Sequence, residues 1–304
     1  MYKIISKQIL SDAVKLVVVE APHVAKKAAA GHFVIVRSHD ESERIPLTIA
    51  DFDRAAGTVT LIFQEVGKST REMGLLAPGD AFATVMGPLG HATEIANFGT
   101  VVVVGGGVGI APVFPIARAL KEAGNRVLSI IGARNASLLF WEERMREVSD
   151  ELIVMTDDGS RGRKGLVTEP LKELLDRGGA AAGGQAVPPA PGRALFGGVA
   201  KVWAIGPAIM MKFVALASRP YAVPTIVSLN TVMVDGTGMC GGCRVSLEGG
   251  AKFVCVDGPE FDGHLVDWDL LLSRMTFYRG QEAESIERWG KDHACRLDAA
   301  GENV

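Results

Sequence analysis

Between residues 235 and 255 the chain places one carboxylate and three thiols at spacings suited to metal chemistry. The run reads Asp235-Gly-Thr-Gly-Met-Cys240-Gly-Gly-Cys243, and Cys255 follows after eleven intervening residues. A C-x4-C-x2-C…C spacing holds [2Fe–2S] clusters, and here an aspartate stands in its first position. Four anionic donors, Asp235, Cys240, Cys243 and Cys255, would close such a site. Glycines at 236, 238, 241 and 242 let the backbone wrap closely around sulfur, because Gly accepts positive φ without steric cost. The same residues also admit a zinc knuckle, a redox disulfide or a plain turn. Three thiols with one carboxylate are, however, an uncommon structural zinc set.

A second constellation stands upstream. Arg44-Ile-Pro46-Leu47-Thr48-Ile49 puts a guanidinium, a rigid turn and a hydroxyl on one strand, and Gly67-Lys68-Ser69-Thr70 and Gly87-Pro88-Leu89-Gly90 follow. A guanidinium offers a fork of donors matched to a diphosphate. The amides and hydroxyls at Gly67, Ser69 and Thr70 suit phosphate oxygens, and Thr48 could donate to the edge of a flavin ring near N5 or O4. Each piece alone also reads as an ordinary exposed arginine or turn. Gly67–Thr70 is no Walker motif, because no glycine stands five residues before Gly67.

The third constellation is Gly105-Gly106-Gly107-Val108-Gly109-Ile110-Ala111-Pro112, directly after the apolar run Val101–Val104. It is not a G-x-G-x-x-G fingerprint, since counting from Gly105 the third glycine would fall on Ile110. A strand ending in glycines, with Pro112 in the first turn of a helix, still suits the approach of a diphosphate; the alternative is a structural strand–helix turn. Arg134, Asp157, Asp158, Gly206 and Pro207 each follow another predicted strand, so they should crowd the same sheet edge. Asp157 or Asp158 would hydrogen-bond a ribose and favour NAD(H) over NADP(H). Arg161, Arg163 and Lys164 lie close by and pull the other way.

The elements that must position these residues fall into three segments. Residues 1–97 read as short alternating strands, as in a small β-barrel. Residues 98–222 alternate strand and helix, which implies a doubly wound parallel sheet with ligands at the strand C-termini. Residues 223–304 hold the thiol loop, a helix near 266–276 and a charged terminal helix. The fold class is α/β plus β. Between Gly178 and Gly192 nearly every residue is Gly, Ala or Pro, which predicts a flexible surface insertion in the second segment.

Composition excludes several classes. The 304 residues carry a formal net charge of −3, so no basic excess argues for nucleic acid or an anionic membrane. Apolar residues make up 48% of the chain, enough for real cores, yet the longest apolar runs are far too short to cross a bilayer. The N-terminus lacks a signal-peptide core, and four cysteines, three of them clustered, are no secreted disulfide framework. The expected location is the cytoplasm. Cys295 reads as a spare thiol, and the histidines show no paired ligand spacing.

Taken in order, these motifs make the chain resemble the ferredoxin reductase superfamily, and within it the electron-transfer subunits of dihydroorotate dehydrogenase. The family's R-x-P-x-[ST]-I, G-x-x-T, G-P-L-G, G-G-G-x-G-x-A-P, T-x-D-G-S and G-P-x-x-M occur here as Arg44–Ile49, Gly67–Thr70, Gly87–Gly90, Gly105–Pro112, Thr156–Ser160 and Gly206–Met210. The resemblance implies an N-terminal FAD-binding barrel, an NAD(H)-binding sheet and a C-terminal [2Fe–2S] domain. It assigns Arg44 to Thr48, Gly67, Ser69, Thr70 and Gly87 to FAD. Gly107, Gly109, Pro112, Arg134, Asp157, Asp158, Gly206 and Pro207 go to NAD(H). The segment Ser228–Cys240, with aspartate where the family has cysteine, resembles the small subunits of NADH-dependent reduced ferredoxin:NADP+ oxidoreductases, which bifurcate electrons. That branch implies a large flavo-iron-sulfur partner similar to the glutamate synthase small subunit, which handles ferredoxin and NADP(H). No acid or base residue is then needed for catalysis. The other readings are a dihydroorotate dehydrogenase subunit, which would carry cysteine at 235, and a non-enzymatic zinc-bearing scaffold.

Overall fold

Short strands rich in β-branched and other apolar residues build the first part of the molecule. The computed structural model describes residues 1–179 and 198–301, and side chains except at 178, 179 and 292–301. The predicted insertion from residue 180 on, and the Cys295 side chain, lie outside the described residues. Seven strands, β1 (Tyr2–Ser11), β2 (Val14–Glu20), β3 (Phe33–Arg37), β4 (Ile45–Asp53), β5 (Thr58–Gln64), β6 (Ala81–Phe82) and β7 (Thr84–Leu89), pair in the order β6-β1-β2-β5-β4-β3-β7. The two ends of that order are consecutive in the chain, and the intervening Ala83 amide donates to Arg37 O at 3.0 Å, so the sheet curls nearly into a closed barrel. Short helices α1 (Pro22–Lys27) and α2 (Lys68–Leu75) add Val24, Ala25 and Met73 to its core.

Two-residue periodicity explains why β2 and β5 are buried on both faces. Val17, Val19, Val59, Leu61 and Phe63 point into the barrel with Ile4, Val34 and Ile49. Val14, Leu16 and Ile62 point outward into a second core, shared with α3 (Ile110–Glu122). The barrel is thus fused to the next layer through apolar contact. Asp51 of β4 reinforces the seam, accepting from Arg118 at 2.9 Å and from Arg144 at 2.6 Å.

The second layer is a seven-stranded sheet. It contains β8 (Thr100–Gly106), β9 (Arg126–Ala133), β10 (Glu151–Thr156), β11 (Arg163–Lys164), β12 (Val199–Ile205) and β13 (Thr225–Ser228), all parallel. Val101 and Val103 face α3, and α4 (Glu142–Glu147) lies on that side; Val102 and Val104 face α5 (Thr168–Gly179) and α6 (Ala208–Ser218). Helices on both faces make the sheet doubly wound, as the strand–helix alternation predicts.

The thiol-bearing segment continues from the sheet edge. A hairpin of β14 (Arg244–Leu247) and β15 (Gly250–Phe253) leads into the one-turn α7 (Val254–Asp257). The chain then returns as β16 (Glu260–Asp262), which pairs antiparallel with β13. Helix α8 (Trp268–Met275) is capped by Asp267, whose carboxylate accepts the Leu270 amide at 3.0 Å. Helix α9 (Arg279–Gly301) ends the described chain. No helix among the described residues is long and apolar enough to cross a membrane.

Candidate functional site: a shared cleft and a thiol loop

The C-terminal edge of the parallel sheet opens onto a cleft of about 780 Å³ whose far wall is the barrel. Pro46, Leu47 and Thr48 of β4 form the barrel side. Gly107, Gly109 and Pro112 at the β8–α3 turn, Arg134 and Asp157 after β9 and β10, and Gly206 and Pro207 after β12 form the sheet side. The remaining residues named from sequence stand off its lining. Ser228, Leu229, Asn230 and Met233, which lead toward the thiol loop, also line the cleft, so all three segments meet there.

Two glycines in the β8–α3 turn are needed for different reasons. Gly107 has φ +55, and a Cβ built there would meet nothing within 4 Å, so it faces open cleft. Gly109 has ordinary helical backbone, but a Cβ would fall 2.1 Å from Ile205 O, because the turn lies directly on the end of β12. The turn presents backbone to an open space at a helix start, an arrangement that suits a diphosphate. A largely apolar cleft with a few polar groups is also what a flavin and a nicotinamide need.

The barrel loops carry the other named residues. Thr70 Oγ1 accepts the Gly67 amide at 3.0 Å and caps α2, while Ser69 Oγ donates to Glu43. Arg44 is exposed, and its Nη1 donates to Val234 O at 3.3 Å, tying the barrel to the thiol loop. Gly87 packs against β3, where a Cβ would come within 2.7 Å of Val34. Asp158 turns its carboxylate to the Ser160 amide and hydroxyl, at 2.9 and 2.6 Å, which holds its pKa below the usual range.

In the thiol loop the four candidate ligands form two pairs. Cys243 and Cys255 are buried with sulfurs 3.2 Å apart, far beyond the ~2.05 Å of a disulfide bond. Burial, and then the Cys243 neighbour, push the Cys255 thiol up to about 12. Nearer the surface, Asp235 accepts the Thr237 amide at 2.8 Å and the exposed Cys240's amide at 2.6 Å. The Thr237 amide, followed by that of Cys240, holds the Asp235 carboxyl below its ordinary value. Among the described residues no three such side chains converge at metal-binding distance. All three described cysteines are free, and soft thiolate donors fit an iron–sulfur cluster. Because metal-bound thiols must be deprotonated, a group held by this pair would have to displace their protons.

Sequence reasoning missed part of the cleft. Gln64, the polar residue that closes the apolar alternation of β5, had a visible signal. Asn230 and Met233 had none, because they reach the cleft only through the return of the thiol segment to the sheet.

Comparison with known proteins agrees with this arrangement. Residues 230–267 match the iron-sulfur cluster binding domain of dihydroorotate dehydrogenase B. A Thermotoga maritima protein described as a homolog of the dihydroorotate dehydrogenase B (NAD(+)) electron transfer subunit is 47% identical over 273 residues, covering 90% of each chain. The Desulforamulus reducens electron transfer subunit is 31% identical over 82% of this chain and 91% of its own. The solved structure of an NADH-dependent reduced ferredoxin-NADP oxidoreductase, described for its insights into flavin-based electron bifurcation, superposes with a TM-score of 0.83. It is 45% identical and covers 95% of this chain and 98% of that one. The molecule is accordingly an oxidoreductase of ferredoxin reductase type, with FAD, NAD(H) and an iron–sulfur cluster as cofactors. The cleft, the thiol loop and these matches lead to one conclusion: the chain belongs to the family of dihydroorotate dehydrogenase B electron-transfer subunits.

Proposed function

We propose that this chain is the NAD(H)-reactive subunit of a cytoplasmic electron-bifurcating complex that couples NADH, ferredoxin and NADP+. Its partner is a large flavo-iron-sulfur subunit of glutamate synthase small-subunit type, through which ferredoxin and NADP(H) are reached. The observation that carries this reading is Asp235 in the place of the first cluster thiolate. The 45% identity to the NADH-dependent reduced ferredoxin-NADP oxidoreductase, over 95% of this chain, supports it.

When bound, FAD exchanges a hydride with NAD(H) and passes electrons on singly, the form in which a [2Fe–2S] cluster carries them. Arg44, Gly67, Ser69, Thr70 and Gly87 would hold the FAD diphosphate, and Pro46, Leu47 and Thr48, which line the cleft, would face its ring. Gly107, Gly109, Pro112, Arg134, Gly206 and Pro207 would hold the dinucleotide, with Asp157 or Asp158 toward its ribose, and of the two Asp157 lines the cleft. Asp235, Cys240, Cys243 and Cys255 hold the cluster. Cys240 and the neighbouring Met239, 89% exposed, turn one end of that loop to the surface where a partner receives electrons. No side chain moves a substrate proton, consistent with a cleft lined mainly by apolar groups and backbone.

Anaerobic affinity purification from the native host tests the proposal. A glutamate-synthase-like flavoprotein should co-purify in stoichiometric amount, and the complex should reduce NADP+ only when NADH and reduced ferredoxin are both present. A dihydroorotate-oxidising flavoprotein in its place would refute bifurcation and assign the chain to the second reading, which the match at residues 230–267 favours.

A further inference from the structure

The loop after β10 and the short strand β11 that follows it carry Asp157, Asp158, Arg161, Arg163 and Lys164, three cations against two carboxylates. The loop begins at the strand edge where Asp157 lines the cleft. On charge alone it should accept the 2′-phosphate that distinguishes NADP(H). Its two guanidiniums are engaged elsewhere. Arg161 donates through Nε at 3.1 Å and Nη2 at 3.0 Å to the two oxygens of Glu142, the first residue of α4. Arg163 donates through Nη1 at 2.9 Å and Nη2 at 2.6 Å to the two oxygens of Glu173 on α5.

Both contacts are two-pronged, the same geometry in which a guanidinium grips a phosphate. Glu142 is itself anchored by Arg146 at 2.9 Å, and its side chain is only 17% exposed. Counting Glu142 and Glu173, the neighbourhood turns from one net positive charge to one net negative charge. The pairing raises the pKa of each arginine and lowers that of each glutamate. Asp158 is committed to Ser160, which leaves Asp157 at the cleft.

We propose that Glu142 and Glu173 are specificity residues that sequester Arg161 and Arg163 and so bar a 2′-phosphate from the ribose end of the cleft, making NAD(H) the preferred dinucleotide. This rests on the cleft being the nucleotide site. Exposed ion pairs are individually weak, so discrimination comes from the double exchange a 2′-phosphate must make. It must displace two carboxylates that already fill the guanidinium forks, and do so beside Asp157.

Calorimetric binding of adenosine 2′,5′-bisphosphate and of 5′-AMP to the full, flavin-loaded chain at low salt tests this. Wild type should prefer 5′-AMP. The Glu142→Gln/Glu173→Gln variant should shift the ratio of the two affinities toward the bisphosphate by about tenfold. The kcat/KM ratio of NADPH to NADH with ferricyanide should move the same way. Glu147→Gln/Glu151→Gln removes two charges, one at the end of α4 and one at the start of β10, that take no part in either arginine fork, and should leave the ratio unchanged. An unchanged ratio in the first variant with 5′-AMP still bound, or an equal shift in the second, overturns the proposal. Failure of wild type to bind 5′-AMP would instead overturn the nucleotide reading of the cleft, and this inference with it.

Discussion

Replacing Gly109 by alanine isolates the part of the β8–α3 turn that depends on space alone. Its φ of −61 and ψ of −11 are helical, so alanine meets no conformational penalty there and in an open helix would gain about 1 kcal/mol over glycine. The obstacle is the backbone of the next strand. The new methyl would sit 2.1 Å from Ile205 O and 2.8 Å from Gly206 Cα. Neither atom can swing away, since β12 is hydrogen-bonded to β8 on one side and β13 on the other. Ordinary contact begins at 3.4 Å, so the turn must move about 1.3 Å off the strand. Overpacking costs about 1–3 kcal/mol. A rigid backbone neighbour places the cost near the top of that range, and subtracting the helical gain leaves roughly 2 kcal/mol of net destabilisation. Thermal unfolding should show a fall of about 4–8 °C, and the KM for NADH with an artificial electron acceptor should rise as the turn leaves the cleft. Gly107→Ala makes the contrast: it pays about 1–2 kcal/mol for left-handed backbone and meets no atom, so it should weaken NADH binding through its methyl in the cleft. A Gly109→Ala protein melting at or above the wild-type temperature would refute the steric argument.

Two further outcomes follow from the thiol segment. Asp235→Cys should still assemble a cluster, with its midpoint potential displaced on the order of 100 mV by the softer donor; identical redox titrations of the two proteins would remove the carboxylate's assigned role. Glu260→Gln should change how stability varies with pH. Burial raises the Glu260 pKa above its ordinary 4.5, and Thr93 Oγ1 donates to its carboxylate at 2.5 Å. A raised folded-state value contributes stability that is complete below the unfolded value and lost as pH rises through the folded one. The uncharged glutamine should therefore gain on wild type as pH rises above the ordinary carboxylate value, and a melting-temperature difference independent of pH would contradict it.

Legibility in the sequence followed the range of the interactions. The thiol spacing, the glycine turn and the strand–helix alternation are local patterns, and the barrel, the doubly wound sheet and the family are recognisable from them. Pairings set by tertiary proximity left no trace. Nothing near Arg161 in the chain announces Glu142, nineteen residues earlier on α4, so from sequence the basic residues of the loop read as pulling against the NAD(H) preference that Asp157 or Asp158 favours. Arg44 reads as a diphosphate ligand, and among the described residues it donates to Val234 O. The antiparallel return of β16 to β13 is equally silent, because three residues between a cis-proline turn and a second loop carry no periodicity.

That return has a mechanical consequence. The thiol segment is sewn to its neighbours at several points: Leu229 N to Pro259 O at 2.9 Å, His91 N to Gly258 O at 2.7 Å, the β13–β16 ladder and the Arg44–Val234 contact. It is not a pendulum on a tether. A carrier domain that shuttles between donor and acceptor needs a hinge, and here the backbone that would flex is part of a sheet. With the cofactors held as proposed, the distance from cleft to loop would be set by this sheet rather than by a hinge between them.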